Sequence, residues 1–328
     1  CKVKAITVGE DKKAVIDNNK CISCGACVYQ CPFGAIVDKS LILEVIDILK
    51  NSDDNKNYHV YAVIAPSIVS QFKYAKIEQV VTGIRKLGFH QVVEAALGAD
   101  ITLYHEASEW KEKGTLTTSC CPSFVMFVEK NFPELVKYIS HSVSPMVEAA
   151  MLIKRTDPKG KVIFIGPCAS KKAEYKLSKT QGAIDSVLSF EELQAFLDAR
   201  HINVESLEET SLDNASFYGR IFAKSGGITQ GVAEVAKEMG VEGIRPIAMN
   251  GIDECRAALM KLKFNRATEN FFEGMACDGG CLNGPLCLNH GPKNVVDVDK
   301  YGASAKEKTI ENSVKLYKLS LGDSPKAE

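Results

Sequence analysis

Three short cysteine blocks, each placed just beyond a predicted strand, constrain this chain more than any other feature. They are Thr118-Ser119-Cys120-Cys121-Pro122, Gly166-Pro167-Cys168-Ala169-Ser170-Lys171-Lys172 and Met275-Ala276-Cys277-Asp278-Gly279-Gly280-Cys281. Hydrophobic runs lead into all three: Thr115-Leu116-Thr117, Val162-Ile163-Phe164-Ile165 and Phe271-Phe272-Glu273-Gly274. Helix-forming sequence follows the first two. Ligands of open α/β sheets sit beyond the carboxyl ends of the strands, so the blocks are expected to meet in one cleft. Thiolates converging there imply a soft metal centre of the iron–sulfur kind. Isolated cysteines are often plain core residues, but a Cys-Cys doublet and a Cys-x3-Cys flanked by glycine are not isolated.

The rest of the chain reads as an ordinary globular protein. Its 328 residues are 45% apolar and 25% charged, with a formal net charge of −1, enough for two or three units with a substantial core. No basic stretch is interleaved with aromatics, which argues against nucleic acid. No apolar run approaches the roughly 20 residues of a membrane helix, and no signal-peptide pattern opens the chain. Twelve cysteines would suit a disulfide scaffold only in a small secreted domain. At metal-ligand spacings they point instead to a reducing compartment, the cytoplasm of an anaerobe.

Strands are expected at 59–64, 115–119, 161–166, 183–188, 245–249 and 271–276. Helices are expected at 41–50, from after Ser67 to about Leu87, and at 101–112, 123–130, 145–155, 190–199, 228–239, 252–262 and 305–319. Strands alternating with helices imply largely parallel sheets covered on both faces. The number of elements exceeds what one small sheet needs, so the expected fold is α/β with two lobes of mostly parallel sheet flanked by helices. The metal cleft would lie between the lobes, within residues 39–328, preceded by a smaller module at residues 1–38.

That module carries Cys21, Cys24, Cys27 and Cys31 followed by Pro32, the Cys-x2-Cys-x2-Cys-x3-Cys-Pro run of bacterial ferredoxins. It is read as a ferredoxin-like (α+β) iron–sulfur module. Three closely spaced thiolates wrap one cubane, and the fourth reaches the other cluster in two-cluster ferredoxins. Cys1-Lys2-Val3-Lys4-Ala5-Ile6 echoes Cys31-Pro32-Phe33-Gly34-Ala35-Ile36, which makes Cys1 the last cysteine of a preceding motif truncated upstream. Two ligand sets stand open. In one, Cys1, Cys21, Cys24 and Cys27 hold a 4Fe–4S cluster and Cys31 serves a second. In the other, Cys21, Cys24, Cys27 and Cys31 hold a single cluster.

The three blocks in this order, downstream of such a module, resemble the FeFe hydrogenases over essentially the whole chain, most closely the group B branch in the form TSCCPSF, GPCASKKAE and MACDGGC. The resemblance implies reversible interconversion of protons and electrons with dihydrogen. It implies an H-cluster, a 4Fe–4S cubane bridged through a cysteine to a diiron unit with CO, cyanide and azadithiolate, beside one or two accessory 4Fe–4S clusters. Cys121, Cys168, Cys277 and Cys281 would hold the cubane, Cys281 bridging, and Cys120 would remain a free thiol that donates protons. Lys171 would bond a cyanide, with Ala65, Pro66 and Ser67 in a strand-end loop on the diiron unit and Met275 packed nearby. Glu106 and Glu109, at i and i+3 on one helix face, would relay protons, with the Ser144 hydroxyl between them. A ferredoxin or similar carrier and the hydrogenase maturation enzymes are the implied partners.

Several residues depart from the better-known branch. Gly166 stands where a methionine is usual and is expected to leave a roomier or wetter pocket. Leu282-Asn283-Gly284-Pro285-Leu286-Cys287 replaces a glycine-rich stretch and puts the local loop geometry in question. Lys172 is expected to be solvated, Cys255 to be a core cysteine and Cys287 to be structural. Two other readings compete: a non-catalytic iron–sulfur assembly or scaffold protein of the hydrogenase-like type, and a hydrogen sensor. Cys120, Lys171 and the glutamate pair argue against the first, since a scaffold needs no proton donor.

Overall fold

The computed structural model describes residues 1–180 and 182–316. Its first element is a small antiparallel hairpin of strands β1 (Ile6–Val8) and β2 (Ala14–Ile16), followed by the short helix Ala26–Tyr29. The remaining strands form two sheets, both entirely parallel. One contains β3 (Val60–Ile64), β4 (Gln91–Glu94), β6 (Lys161–Gly166) and β7 (Ser186–Ser189) in the order β4-β3-β6-β7. The other contains β5 (Leu116–Thr117), β8 (Pro246–Asn250) and β9 (Phe271–Met275) in the order β5-β9-β8. The α/β expectation with helix-flanked parallel sheets holds.

The central strands are near-continuous apolar runs, as strands buried on both faces must be. Val60, Ala62, Val63 and Ile64 sit with Val162 to Ile165 in the core of the larger sheet. In the smaller sheet the faces divide by the alternation of the pleat: Phe271 packs into one cluster with Leu116, and Phe272 into another with Phe124.

Four parallel strands from the two sheets end at the expected blocks. Ala65 follows β3, Cys120 and Cys121 follow β5, Cys168 follows β6, and Cys277 follows β9. Each of the middle two loops turns at once into a helix, Pro122–Asn131 after Cys121 and Ala169–Glu174 after Cys168.

The helix Ala95–Lys113 starts well before the expected 101 and directly follows β4, a strand that the sequence did not reveal. Its first turns are buried, and Gly98 masks the onset because glycine reads as a breaker. The reason for that glycine is contact: a Cβ there would lie 2.1 Å from the Pro145 carbonyl oxygen. The absence of a side chain lets this helix press against the helix Pro145–Thr156. At an exposed helical site Gly→Ala gains about 0.5–1 kcal/mol. Gly98→Ala is expected to lose about 1–3 kcal/mol instead, as overpacking does, and urea unfolding would report the sign.

The helix expected at 305–319 begins only at Ile310, and a separate helix that the sequence did not reveal precedes it. A helix at Asn294–Ser304 is followed by one at Ile310–Leu316, and 317–319 fall outside the described residues. Between them the Glu307 carboxylate accepts from the Thr309 amide at 2.9 Å and from its hydroxyl at 2.9 Å, a local bond that competes with helix continuation. Asp100, buried on the Ala95–Lys113 helix, holds Ser216 and Ser313 at 2.6 Å each and so ties the later helices to it.

Candidate metal centre

Cys120, Cys121, Cys168, Cys277 and Cys281 line a single cavity between the two sheets, with Ala65, Pro66, Lys171 and Met275 also in its wall. Among the described residues no three His, Cys, Asp or Glu side chains close round one metal ion. Thiols spread over the walls of one cavity suit a polynuclear cluster better than a single ion. Their chemistry agrees: burial first, then the neighbouring thiolates, pushes the Cys277 and Cys281 thiols up. Cationic iron would offset both effects. The donor set therefore fits an iron–sulfur cluster.

The wall holds further constraints. The Lys171 ammonium is buried, donating to Glu174 Oε2 at 2.6 Å and to the Cys120 carbonyl at 3.1 Å. An ammonium has three donors, so one remains for an anion in the cavity. Ser67 is fully buried but does not line the cavity, and its hydroxyl makes no hydrogen bond. Gly166 leaves no extra room. A Cβ there would lie 2.5 Å from the ring of Phe164, which itself lines the cavity, so the expected roomier or wetter pocket is corrected to one filled by an aromatic ring. The loop after Cys281 docks on the second block, with the Leu286 amide donating to the Pro167 carbonyl at 3.0 Å. Gly284 permits this approach, since a Cβ would meet that same oxygen at 2.6 Å.

Three other lysine and cysteine expectations resolve by packing. Lys172 is buried, not solvated: it pairs with Asp38 at 2.6 Å and Glu192 at 2.8 Å, joining the first module to the larger sheet. Two carboxylates offset the cost of burying its charge. Cys255 is a fully buried core residue, and Cys287 is buried with its thiol 3.5 Å from the Leu282 carbonyl.

The glutamates lie at different depths. Glu106 is fully buried and accepts from the Ser119 amide at 3.2 Å, next to Cys120, while its Oε2 has no hydrogen-bond partner. Burial pushes it up to about 8. Glu109 is partly exposed. Burial pushes it up, but Lys113, the Ser140 hydroxyl and the His141 amide together hold it below the ordinary carboxylate range. Ser144 does not occupy the expected place between them. Its hydroxyl is buried without a partner at the start of the Pro145–Thr156 helix, and Ser140 supplies the hydroxyl on Glu109, at 2.8 Å. Lys113 could have been read from its i+4 spacing to Glu109. Ser140 and His141 carried no sequence signal.

A second cavity is lined by Cys1, Cys21, Cys24 and Cys27, but not Cys31. The echo between the termini of the two motifs is structural: Cys1 Sγ accepts from the Ala5 amide at 3.4 Å, and Cys31 Sγ from the Ala35 amide at 3.3 Å. The Phe33 amide, then that of Ala35, holds the Cys31 thiol below its ordinary value. Cys24 and Cys277 border both cavities. Close packing joins them, since a Cβ on Gly25 would lie 2.7 Å from Pro285 and 2.8 Å from Ala169.

Comparison with known proteins bears on the fold and on iron–sulfur binding. Residues 58–285 match the model for the iron-only hydrogenase large subunit, C-terminal domain, and residues 14–37 match a 4Fe-4S binding domain. The chain is 29% identical to iron hydrogenase 1 of Clostridium pasteurianum over 95% of this chain and 73% of that protein. It is also 23% identical to a probable cytosolic Fe-S cluster assembly factor of Brugia malayi, over 86% of this chain and 74% of that one. A solved variant of the FeFe-hydrogenase HydA1 from Chlamydomonas reinhardtii superposes with a TM-score of 0.71 at 21% identity, covering 87% of this chain and 95% of that chain. That last likeness is one of fold. No helix among the described residues is long and apolar enough to cross a membrane.

Proposed function

We propose, from the premise that this chain belongs to the iron-only hydrogenase large-subunit family, that it interconverts protons and electrons with dihydrogen. The observation that carries this reading is the fifth cysteine, Cys120, sharing the cavity with four candidate ligands and standing beside the amide bonded to Glu106. An iron–sulfur scaffold needs the four ligands but has no use for a proton-bearing thiol backed by a buried carboxyl. In this reading Cys121, Cys168, Cys277 and Cys281 would hold the iron–sulfur part of an H-cluster. When bound, that group supplies the redox chemistry, and the chain supplies ligands, charge and proton transfer. Lys171 presents its remaining N–H to an anionic ligand, and Ala65, Pro66 and Met275 shape an apolar wall that keeps water out.

Protons are held in sequence along one helix face. Glu109, ionised at neutral pH, collects them near the surface with Ser140, and Glu106 keeps one beside the Cys120 thiol. Ser144, buried with a free hydroxyl, stays available within the same helix contact. Cys1, Cys21, Cys24 and Cys27 are assigned to an accessory 4Fe–4S cluster, and Cys31, outside that cavity, is not among its ligands. Cys24 and Cys277, which line both cavities, would then stand on the electron route between a ferredoxin-type carrier and the buried site. Loading with the hydrogenase maturation enzymes tests the whole reading. CO and cyanide infrared bands together with hydrogen evolution are expected. The alternative, a non-catalytic assembly protein, draws on the similarity to cluster assembly factors and requires iron without those bands.

Glu106 has its own test. Burial raises Glu106 to about 8, and Asp100 and Glu273 to about 7. Each takes up a proton on folding, Glu106 largely and the other two in part at neutral pH, so the stability it contributes is complete below about pH 4 and is lost as pH rises through the folded value. Glu106→Gln keeps shape but cannot titrate. It is expected to reduce the fall in stability between about pH 5 and 8 by up to one proton, about 1.4 kcal/mol per pH unit. In the loaded protein it should slow turnover sharply with little change in the infrared bands. An unaltered pH slope in urea unfolding would show that Glu106 is not held protonated.

A further inference from the structure

Glu109 Oε1 is one corner of a triangle at the protein surface. It lies 2.6 Å from Lys113 Nζ and 2.7 Å from His141 Nδ1, and the third side, Lys113 Nζ to His141 Nδ1, is 3.1 Å. The His141 amide also donates to Glu109 Oε2, at 2.9 Å, so backbone and ring of one residue clasp the same carboxylate. Ser140 completes the set at 2.8 Å.

A nitrogen and a carboxylate oxygen at 2.7 Å need a proton between them, because two lone pairs at that distance repel. Lys113 presents three N–H donors and no acceptor, so it cannot take up a proton there. An imidazole is different, being the side chain whose charge changes between pH 5 and 8. The His141 side chain is 52% exposed, and Nε2 has no protein partner among the described residues. One ring nitrogen therefore faces Glu109 and the other faces water. Glu109 and Lys113, both from the Ala95–Lys113 helix, are the charged groups bonded to the ring.

We propose that His141 is the proton-exchange residue at the outer end of the Glu109, Glu106 and Cys120 line, a step that rests on the hydrogenase reading above. Water delivers a proton to Nε2 and the ring becomes an imidazolium. The Nδ1–H bond then breaks as the proton passes to Glu109 Oε1, leaving a neutral ring protonated at Nε2. Loss of the Nε2 proton to water and gain of one from water at Nδ1 restore the starting tautomer, and no electrons move. In that neutral state Nδ1 accepts from Lys113, which holds the ring in place between transfers. Hydrogen oxidation runs the same steps outward.

Two measurements test this. In the protein without loaded H-cluster, NMR titration of the six histidines, assigned with His141→Gln, is compared in wild type and Glu109→Gln. Removing the adjacent carboxylate is expected to move the His141 ring resonances, because the partner of Nδ1 at 2.7 Å is lost; unmoved resonances overturn the contact. In the loaded protein, His141→Ala is expected to lose at least about tenfold in turnover, less than the about 10²–10⁴-fold of a group at the reacting atoms. Its infrared bands should be unchanged, and added imidazole should restore the rate. Full turnover in His141→Ala, or a loss that imidazole does not rescue, overturns the proposal alone. A loaded wild-type protein without turnover overturns the hydrogenase reading and this proposal with it.

Discussion

Cys168→Ser and Cys281→Ser proteins are expected to lose iron and hydrogen turnover together, while Cys255→Ser keeps both. All three residues are cysteines in or near the interior, so simple burial would predict similar damage. Their surroundings separate them. Cys168 and Cys281 face the shared cavity, whereas Cys255 is enclosed by core residues with its thiol 3.7 Å from the Met275 carbonyl. A hydroxyl is a poor ligand for iron where a thiolate is a good one, so either cavity substitution leaves the cluster a ligand short. Cys255→Ser should cost only the about 0.5–3 kcal/mol of an ordinary core change. Iron analysis and activity on the three purified proteins decide the matter, and equal damage in all three would end the ligand assignment.

Cys120→Ala is expected to retain its iron and to slow turnover by about 10²–10⁴-fold, the usual contribution of a positioned proton donor. Burial, ahead of the neighbouring negative groups, pushes the Cys120 thiol well above its ordinary value, so it carries its proton at neutral pH. The bond from Lys171 goes to the Cys120 carbonyl, which alanine preserves. The cavity wall should therefore keep its shape while losing one exchangeable proton. Iron loss in this variant would mean that Cys120 and Cys121 have been given each other's roles.

Whatever depended on local spacing was legible from the residues. Apolar runs ending at cysteine blocks located the strands β5, β6 and β9 and the side of the sheets where ligands gather. The three-residue interval between Glu106 and Glu109 put both on one helix face. These are consequences of chain periodicity, and no tertiary information was needed. Strand β4 escaped because four residues are too few to establish a period, and the onset of the following helix escaped because its first turns are buried and include Gly98.

Contacts between distant segments were decided only by the tertiary structure. Ser140 and not Ser144 meets Glu109, although both lie in one short serine-rich stretch. Lys172 is buried because Asp38 and Glu192, far away in sequence, converge on it. The space left by Gly166 is taken by Phe164 from the same strand, a matter of ring orientation that composition does not encode. His141 gains its place from a loop that docks on the Ala95–Lys113 helix. The identity of the candidate ligands was thus written in residue type and spacing. The proton path depended on which side chains the fold brings within hydrogen-bond reach, and that follows from packing.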